Sequence, residues 1–314
     1  MSIRVGFLGV AHMHAWGYVS ALQTCGDARV TAVWDAEGKR KDRFALENGL
    51  HQAESIDDLL ERCDAVVITS ANTAHAELAA HAADASKSIL CEKPLVTSEE
   101  EASRMTKAVS GKARFMTAFP CRFAPSYIRL KERVKAGDIG NVQAICATNR
   151  GKCPFDWFVD KEQSGGGSMI DHTVHVADLL RDLLGEEPSS VNAQIGSNMH
   201  GQDWEDTAML TLQYPSGVFA SLDSSWSRPK SFKTWGDVTM NVVGAKGLIE
   251  LDMFGQNVEV WGDAHSSTNY GSNLDAALVG EWLASIREDR EPVVTLEDGL
   301  AASRVAMRAY ASVR

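Results

Sequence analysis

Asp171 and His175 lie four residues apart in the run Asp171-His172-Thr173-Val174-His175. On a helix that interval puts a carboxylate and an imidazole on one face. Histidine, with a reference pKa of about 6.5, is the side chain best matched to moving a proton near neutral pH. A carbinol carbon releases hydride only as its hydroxyl proton is taken, so such a pair could serve alcohol oxidation. The same stripe continues through Asp178 and Asp182, and on most helices a polar stripe is simply the solvated face. His172 adds a second imidazole, but neighbours on a helix diverge by about 100°, so no metal site is expected here.

Lys93, in the run Cys91-Glu92-Lys93-Pro94-Leu95, follows an expected strand end, where parallel sheets present their ligand sites. Its ammonium could steady an oxygen that gains negative charge. A solvated lysine is the bland alternative, although the following proline holds Lys93 in extended geometry. Glu92 reads equally as a cofactor contact and as a strand-end charge. Arg122, in Pro120-Cys121-Arg122-Phe123, could face substrate or cofactor. Trp157, with Phe158 and Trp204, either offers a face for stacking on a sugar or plugs the space under a loop.

The elements that carry these residues fall into two groups. Residues 1–121 alternate short apolar runs (3–8, 29–34, 65–69, 88–91 and 115–118) with amphipathic stretches such as 54–62 and 74–85. That alternation predicts right-handed βαβ units around a buried parallel sheet, an α/β doubly wound Rossmann domain. Residues 122–314 predict an α+β domain with an open, mainly antiparallel sheet. Its expected helices are 126–136, 169–184, 275–289 and 297–312, and its strands 142–150, 191–197, 208–214, 218–227, 238–243, 248–252 and 258–261. Residues 264–273 read as a loop. Hairpin turns are expected at Pro215-Ser216-Gly217 and Gly244-Ala245-Lys246-Gly247.

The first strand ends in Gly9-Val10-Ala11-His12-Met13-His14, and the second at Asp35. In a dinucleotide fold the first turn sets a helix N-terminus against the pyrophosphate, and an acid closing the second strand receives the ribose hydroxyls. Gly9 holds the first fingerprint position; Ala11 and His14 stand where glycines are usual. Asp35 would repel a 2′-phosphate, which favours NAD, while Lys39 and Arg40 keep NADP open. Asp35 as a plain turn residue, and His12 and His14 as capping or packing residues, are the bland readings.

Together these motifs make the chain similar to the Gfo/Idh/MocA family of oxidoreductases. The similarity rests on Glu92-Lys93-Pro94, on the Gly-Gly-Gly-x3-Asp-x3-His run ending at His175, on Asn72-Thr73-Ala74-His75, on Gly137-Asp138-Ile139-Gly140 and on Glu297-Asp298-Gly299-Leu300. The resemblance implies His175 as acid/base, Lys93 as polarising cation and Asp171 as orienting or substrate-binding carboxylate. It implies a cofactor lined by Gly9, Ala11, His12, Asp35, Ser70, Asn72, His75, Glu92 and Lys93. It also implies a sugar, inositol or other polyol held by Lys93, Arg122, Trp157, Asp171, His172 and His175. Self-association through the open sheet, as a dimer or tetramer, belongs to the same expectation.

A net charge of −11 supplies no basic footprint for nucleic acid or an anionic membrane. No apolar run reaches the ~18 residues of a membrane span. Six cysteines without a CxxC pair predict reduced thiols and a cytoplasmic setting. Two other classes of function stay open: a cofactor-binding sensor without turnover, and a tightly held NAD recycled in a sugar oxidoreduction or a redox-assisted cleavage.

Overall fold

A computed structural model describes residues 2–261, 265–269 and 271–313. The chain divides into two compact units. One comprises the chain up to Pro120 together with Asp160–Gly165 and Asp275–Ser303; the other comprises Cys121–Val159, Gly166–Leu274 and the chain from Arg304. By sequence the chain divides once, after residue 121; by packing, two later segments also count with the first unit.

The first unit is built on six parallel strands: β1 (Ile3–Val10), β2 (Ala28–Trp34), β3 (His51–Gln52), β4 (Ala65–Thr69), β5 (Ser88–Cys91) and β6 (Phe115–Thr117). Their order is β3-β2-β1-β4-β5-β6, with every neighbouring pair parallel. Between them run α1 (His14–Thr24), α2 (Gly38–Asn48), α3 (Ile56–Glu61), α4 (His75–Asp84) and α5 (Glu99–Val109). All five residues of β4 are buried, which is why the strand is continuously apolar instead of alternating. α5 is started by Ser98, whose hydroxyl accepts from Glu101 N at 3.2 Å, and by three acids in its first turn that suit the positive helix end. The two-residue β3 is a strand that hydrophobic pattern does not reveal.

In the second unit α6 (Pro125–Lys135) precedes β7 (Val142–Thr148), and the short α7 (Lys161–Ser164), which counts with the first unit, comes before α8 (Ser168–Leu184). Then follow β8 (Ser190–Gly196), β9 (Thr207–Gln213), β10 (Phe219–Asp223), β11 (Thr239–Gly244) and β12 (Gly247–Asp252). They form a six-stranded sheet in the order β12-β11-β7-β10-β9-β8. It is antiparallel except for β7 and β10, which run parallel. β10 stops at Asp223, short of the expected 227. Strict alternation sets the faces: Ala208, Leu210 and Leu212 are buried, Met209, Thr211 and Gln213 exposed. Tyr214 N donates to Val218 O at 2.8 Å across the expected turn at 215–217.

β13 (Asn257–Trp261) and β14 (His265–Asn269) pair separately, so a strand occupies part of the stretch expected as a loop; positions 264 and 270 lie outside the described residues. α9 (Leu274–Arg287) and α10 (Leu296–Ser312) close the chain. Among the described residues no helix is long and apolar enough to cross a membrane.

Candidate active site

The carboxyl ends of β1, β4 and β5 carry the first cluster. Gly9 has φ +75°, and a Cβ there would lie 2.5 Å from the Ser70 Cβ. A side chain would thus be strained and would press the β1 turn off the end of β4. Asp35 is buried at the tip of β2; it accepts from Val10 N at 2.7 Å and Glu37 N at 2.8 Å, with Arg40 Nε 3.5 Å away. The carboxylate therefore shapes the β1 turn itself. Ala11 is half-buried, and His12 N donates to Thr69 O at 2.8 Å. Asn72 is buried, donates to Ser164 O at 2.8 Å, and keeps Oδ1 without a hydrogen-bond partner. A glycine cradle, an acid at the second strand tip and a buried acceptor fit a dinucleotide.

His75 takes a place other than the expected one. It is fully buried, with Nδ1 2.9 Å from Pro94 O and Nε2 3.3 Å from Ser70 O. Desolvation lowers its pKa, so the neutral ring clasps the loops after β4 and β5 from behind and leaves no exposed face for a cofactor.

Glu92 is also fully buried, directly after β5. Its Oε1 accepts from Tyr18 OH at 2.5 Å and faces His14 Nδ1 at 2.9 Å, while Oε2 accepts from Lys93 N at 3.0 Å. Burial alone would raise the carboxyl, but the imidazoles of His12 and His14 and the Lys93 ammonium outweigh it and hold it well below the usual carboxylate range. His14 responds in kind: burial would lower it, yet Glu92 raises it. Donor atoms of His12, His14 and Glu92 lie within 4.8 Å of one another, a set that could hold a divalent cation. The sequence, which predicts no metal site around His172, does not reveal this set either. Lys93 itself is 3% exposed, which rules out the solvated reading.

The second cluster lies on α8. Every residue from Ser168 to Leu180 is buried, with Asp171 at 7%, His175 at 9% and Asp178 at 0% exposure. The polar stripe is therefore no wet face. Asp171 Oδ2 accepts from Trp226 Nε1 at 3.2 Å, and His172 Nε2 stands 3.3 Å from the same oxygen. The His172 ring packs against Gly151, where any Cβ would collide with it.

Arg122 departs from expectation. Its guanidinium grips Asp178 through Nε at 2.8 Å and Nη2 at 2.6 Å, and reaches Asp182 at 3.3 Å. It is an internal tie between the turn at Pro120–Phe123 and α8, committed to protein carboxylates. Trp157 is buried and stacked on Phe158 at 3.9 Å between centroids, which favours the plug over the sugar platform.

The sequence reading missed two further residues. Glu205 Oε1 accepts from Gly167 N at 2.6 Å and Tyr310 OH at 2.5 Å, fixing the glycine bend that starts α8. No local pattern announces them, because the partners are 38 and 105 residues apart. Tyr18, by contrast, was accessible: it sits one turn after His14 on α1.

Residues 3–119 match the family described as "Oxidoreductase family, NAD-binding Rossmann fold", and residues 127–250 match "GFO/IDH/MocA C-terminal domain". The chain is similar to an inositol 2-dehydrogenase of Rhizobium meliloti (strain 1021), 31% identical over 100% of this chain and 97% of that one. It is also similar to a 2,7-anhydro-N-acetylneuraminate hydratase of Escherichia coli (strain K12), 30% identical over 80% of this chain and 68% of the relative. In fold it matches GenD2 from gentamicin A biosynthesis, solved in complex with NAD, with TM-score 0.90 and 22% identity over 99% of this chain and 94% of that chain.

Proposed function

Since the chain belongs to the Gfo/Idh/MocA family of oxidoreductases, with an NAD-binding Rossmann fold, we propose that it oxidises a secondary alcohol of a sugar, inositol or related polyol, or reduces the matching ketone. The observation that carries this reading is the burial of Lys93, Asp171 and His175, a cation, a carboxylate and an imidazole of the types that alcohol oxidation needs, at the positions of the Glu-Lys-Pro and Gly-Gly-Gly-x3-Asp-x3-His motifs. When bound, the nicotinamide supplies the hydride acceptor or donor. His175 takes the hydroxyl proton, the Lys93 ammonium donates to the same oxygen as its charge grows, and Asp171 fixes the neighbouring imidazole or a substrate hydroxyl. Asp35 favours NAD over NADP because a 2′-phosphate would meet its carboxylate. Replacing Lys93 or His175 with alanine is expected to cut turnover by about 10²–10⁴. Absorbance of the reduced nicotinamide, followed with NAD and NADP across sugars, inositols and sugar acids, tests this; near-wild-type rates in both variants overturn the assignment.

The hydratase name of one relative supports a second reading, in which NAD stays bound and is restored within each turnover. Cofactor retained through purification, with substrate consumed but no net NADH, identifies that case. Self-association through the open sheet is part of the proposal, supported by Met209, Phe219, Val243 and Leu248, which are large apolar side chains left exposed on its strands. Six free thiols favour a cytoplasmic setting.

A further inference from the structure

The mechanism leaves one buried charge without a task. Glu92 is withdrawn completely from water, yet it accepts a phenol, faces an imidazole nitrogen and takes a backbone N–H. With Tyr18 OH and Lys93 N–H donating to it and the His14 imidazole able to donate as well, the carboxyl is suited to the ionised form, and an ionised carboxylate in the interior persists only where positive charge or donors compensate it. Those partners come from two places. His14 and Tyr18 belong to the first turns of α1, the expected dinucleotide end; Lys93 is the next residue in the chain. Asp275, near enough to raise the His14 pKa, adds a second acid, and a Cβ at Gly17 of α1 would collide with it.

A lysine cation beside a nicotinamide creates an electrostatic conflict. The oxidised ring is positive and the reduced ring neutral, so an uncompensated ammonium would favour NADH and oppose binding of the oxidant. We propose that Glu92 is the counter-charge that lets the Lys93 ammonium and an oxidised nicotinamide share the carboxyl end of the sheet, and that it thereby sets the relative affinity for NAD⁺ and NADH. This rests on the NAD-dependent reading above. Glu92 acts through Lys93 and the ring and touches neither substrate nor the transferred hydride; it is a positioning residue. The pyrophosphate is common to both redox forms, so its contribution cancels in the ratio of their affinities.

Titration of the full chain with NAD⁺ and with NADH separately, by calorimetry and nicotinamide fluorescence, reads that ratio. Glu92→Gln keeps the shape and removes the charge; it is expected to weaken NAD⁺ about tenfold or more while NADH changes by less than about twofold. Tyr18→Phe keeps the charge and loses one donor, and its ratio should stay near wild type. Lys93→Met should move the ratio the other way, towards NAD⁺, which keeps the idea testable if Glu92→Gln fails to fold. Equal weakening of both dinucleotides in Glu92→Gln, a Tyr18→Phe ratio that follows it, or an unchanged ratio in Lys93→Met overturns the proposal. So does near-stoichiometric zinc in the purified protein lost on His12→Asn, since the carboxylate would then serve a metal. Wild-type protein that binds neither dinucleotide would instead sink the cofactor reading itself.

Discussion

Arg122 and Asp178 have side chains 9% and 0% exposed, joined by two short hydrogen bonds. Removing one partner strands the other as a buried charge, which costs about 3–5 kcal/mol, far more than a surface pair would. Arg122→Ala is expected to lose stability on that scale, measured by urea unfolding, while Arg122→Lys, which keeps the charge but not the two-pronged geometry, loses less. If Arg122→Ala unfolds like wild type but raises KM, the guanidinium serves substrate after all. The residue also shows why composition and spacing alone misplace a role. An arginine beside a site motif looks available until its carboxylates, 56 and 60 residues away, are brought in by folding.

At the scale of elements, α6 and α8 are joined around Asp182, which accepts from Tyr127 OH at 2.7 Å and Lys131 Nζ at 2.7 Å. Burial would raise this carboxyl, but Lys131, Tyr127 and Arg122 together lower it. A carboxyl with a depressed folded pKa stabilises the protein above its unfolded value, near 3.9, and that contribution disappears as pH falls through the folded value. Wild type should therefore lose stability relative to Asp182→Asn as pH is lowered from about 5 to about 3. Parallel acid profiles of the two proteins in denaturant titrations would refute this. The elements themselves were largely legible: the β4 run, the α8 run and the hairpin turns all announce themselves through periodicity and turn residues. β3, two exposed residues long, and α7, one turn long, carry too little pattern to be seen. The parallel pairing of β7 with β10 is a matter of topology that no local signal encodes.

For the whole molecule, the second sheet presents large apolar side chains to the outside. Across four of its six strands, registered positions build one face: Leu248, Val243, Ala144 and Phe219 run along one row, with Asn241, Cys146 and Ser221 beside them, all exposed except the half-buried Ala144 and Ser221. Phe219→Glu placed in the middle of that face should dissociate any dimer or tetramer, which light scattering would register as a fall in mass with the fold retained. A wild-type protein that is monomeric at micromolar concentration removes the oligomer from the proposal. The dinucleotide half was legible at this scale in spite of its altered glycine fingerprint, because strand, turn, helix and acid occur in the right order. What the sequence could not convey was depth. It offered a stripe on α8 and a lysine after β5 without saying that both are sealed from water.

The collision between a Cβ at position 151 and the ring of His172 has an evolutionary corollary. Neither position is free to drift by itself: a larger residue at 151 becomes tolerable only after the imidazole shrinks, and a glycine at 151 loses its reason once it has. The two should be inherited as a linked pair, so that histidine at 172 among descendants of this sequence travels with glycine twenty-one residues earlier.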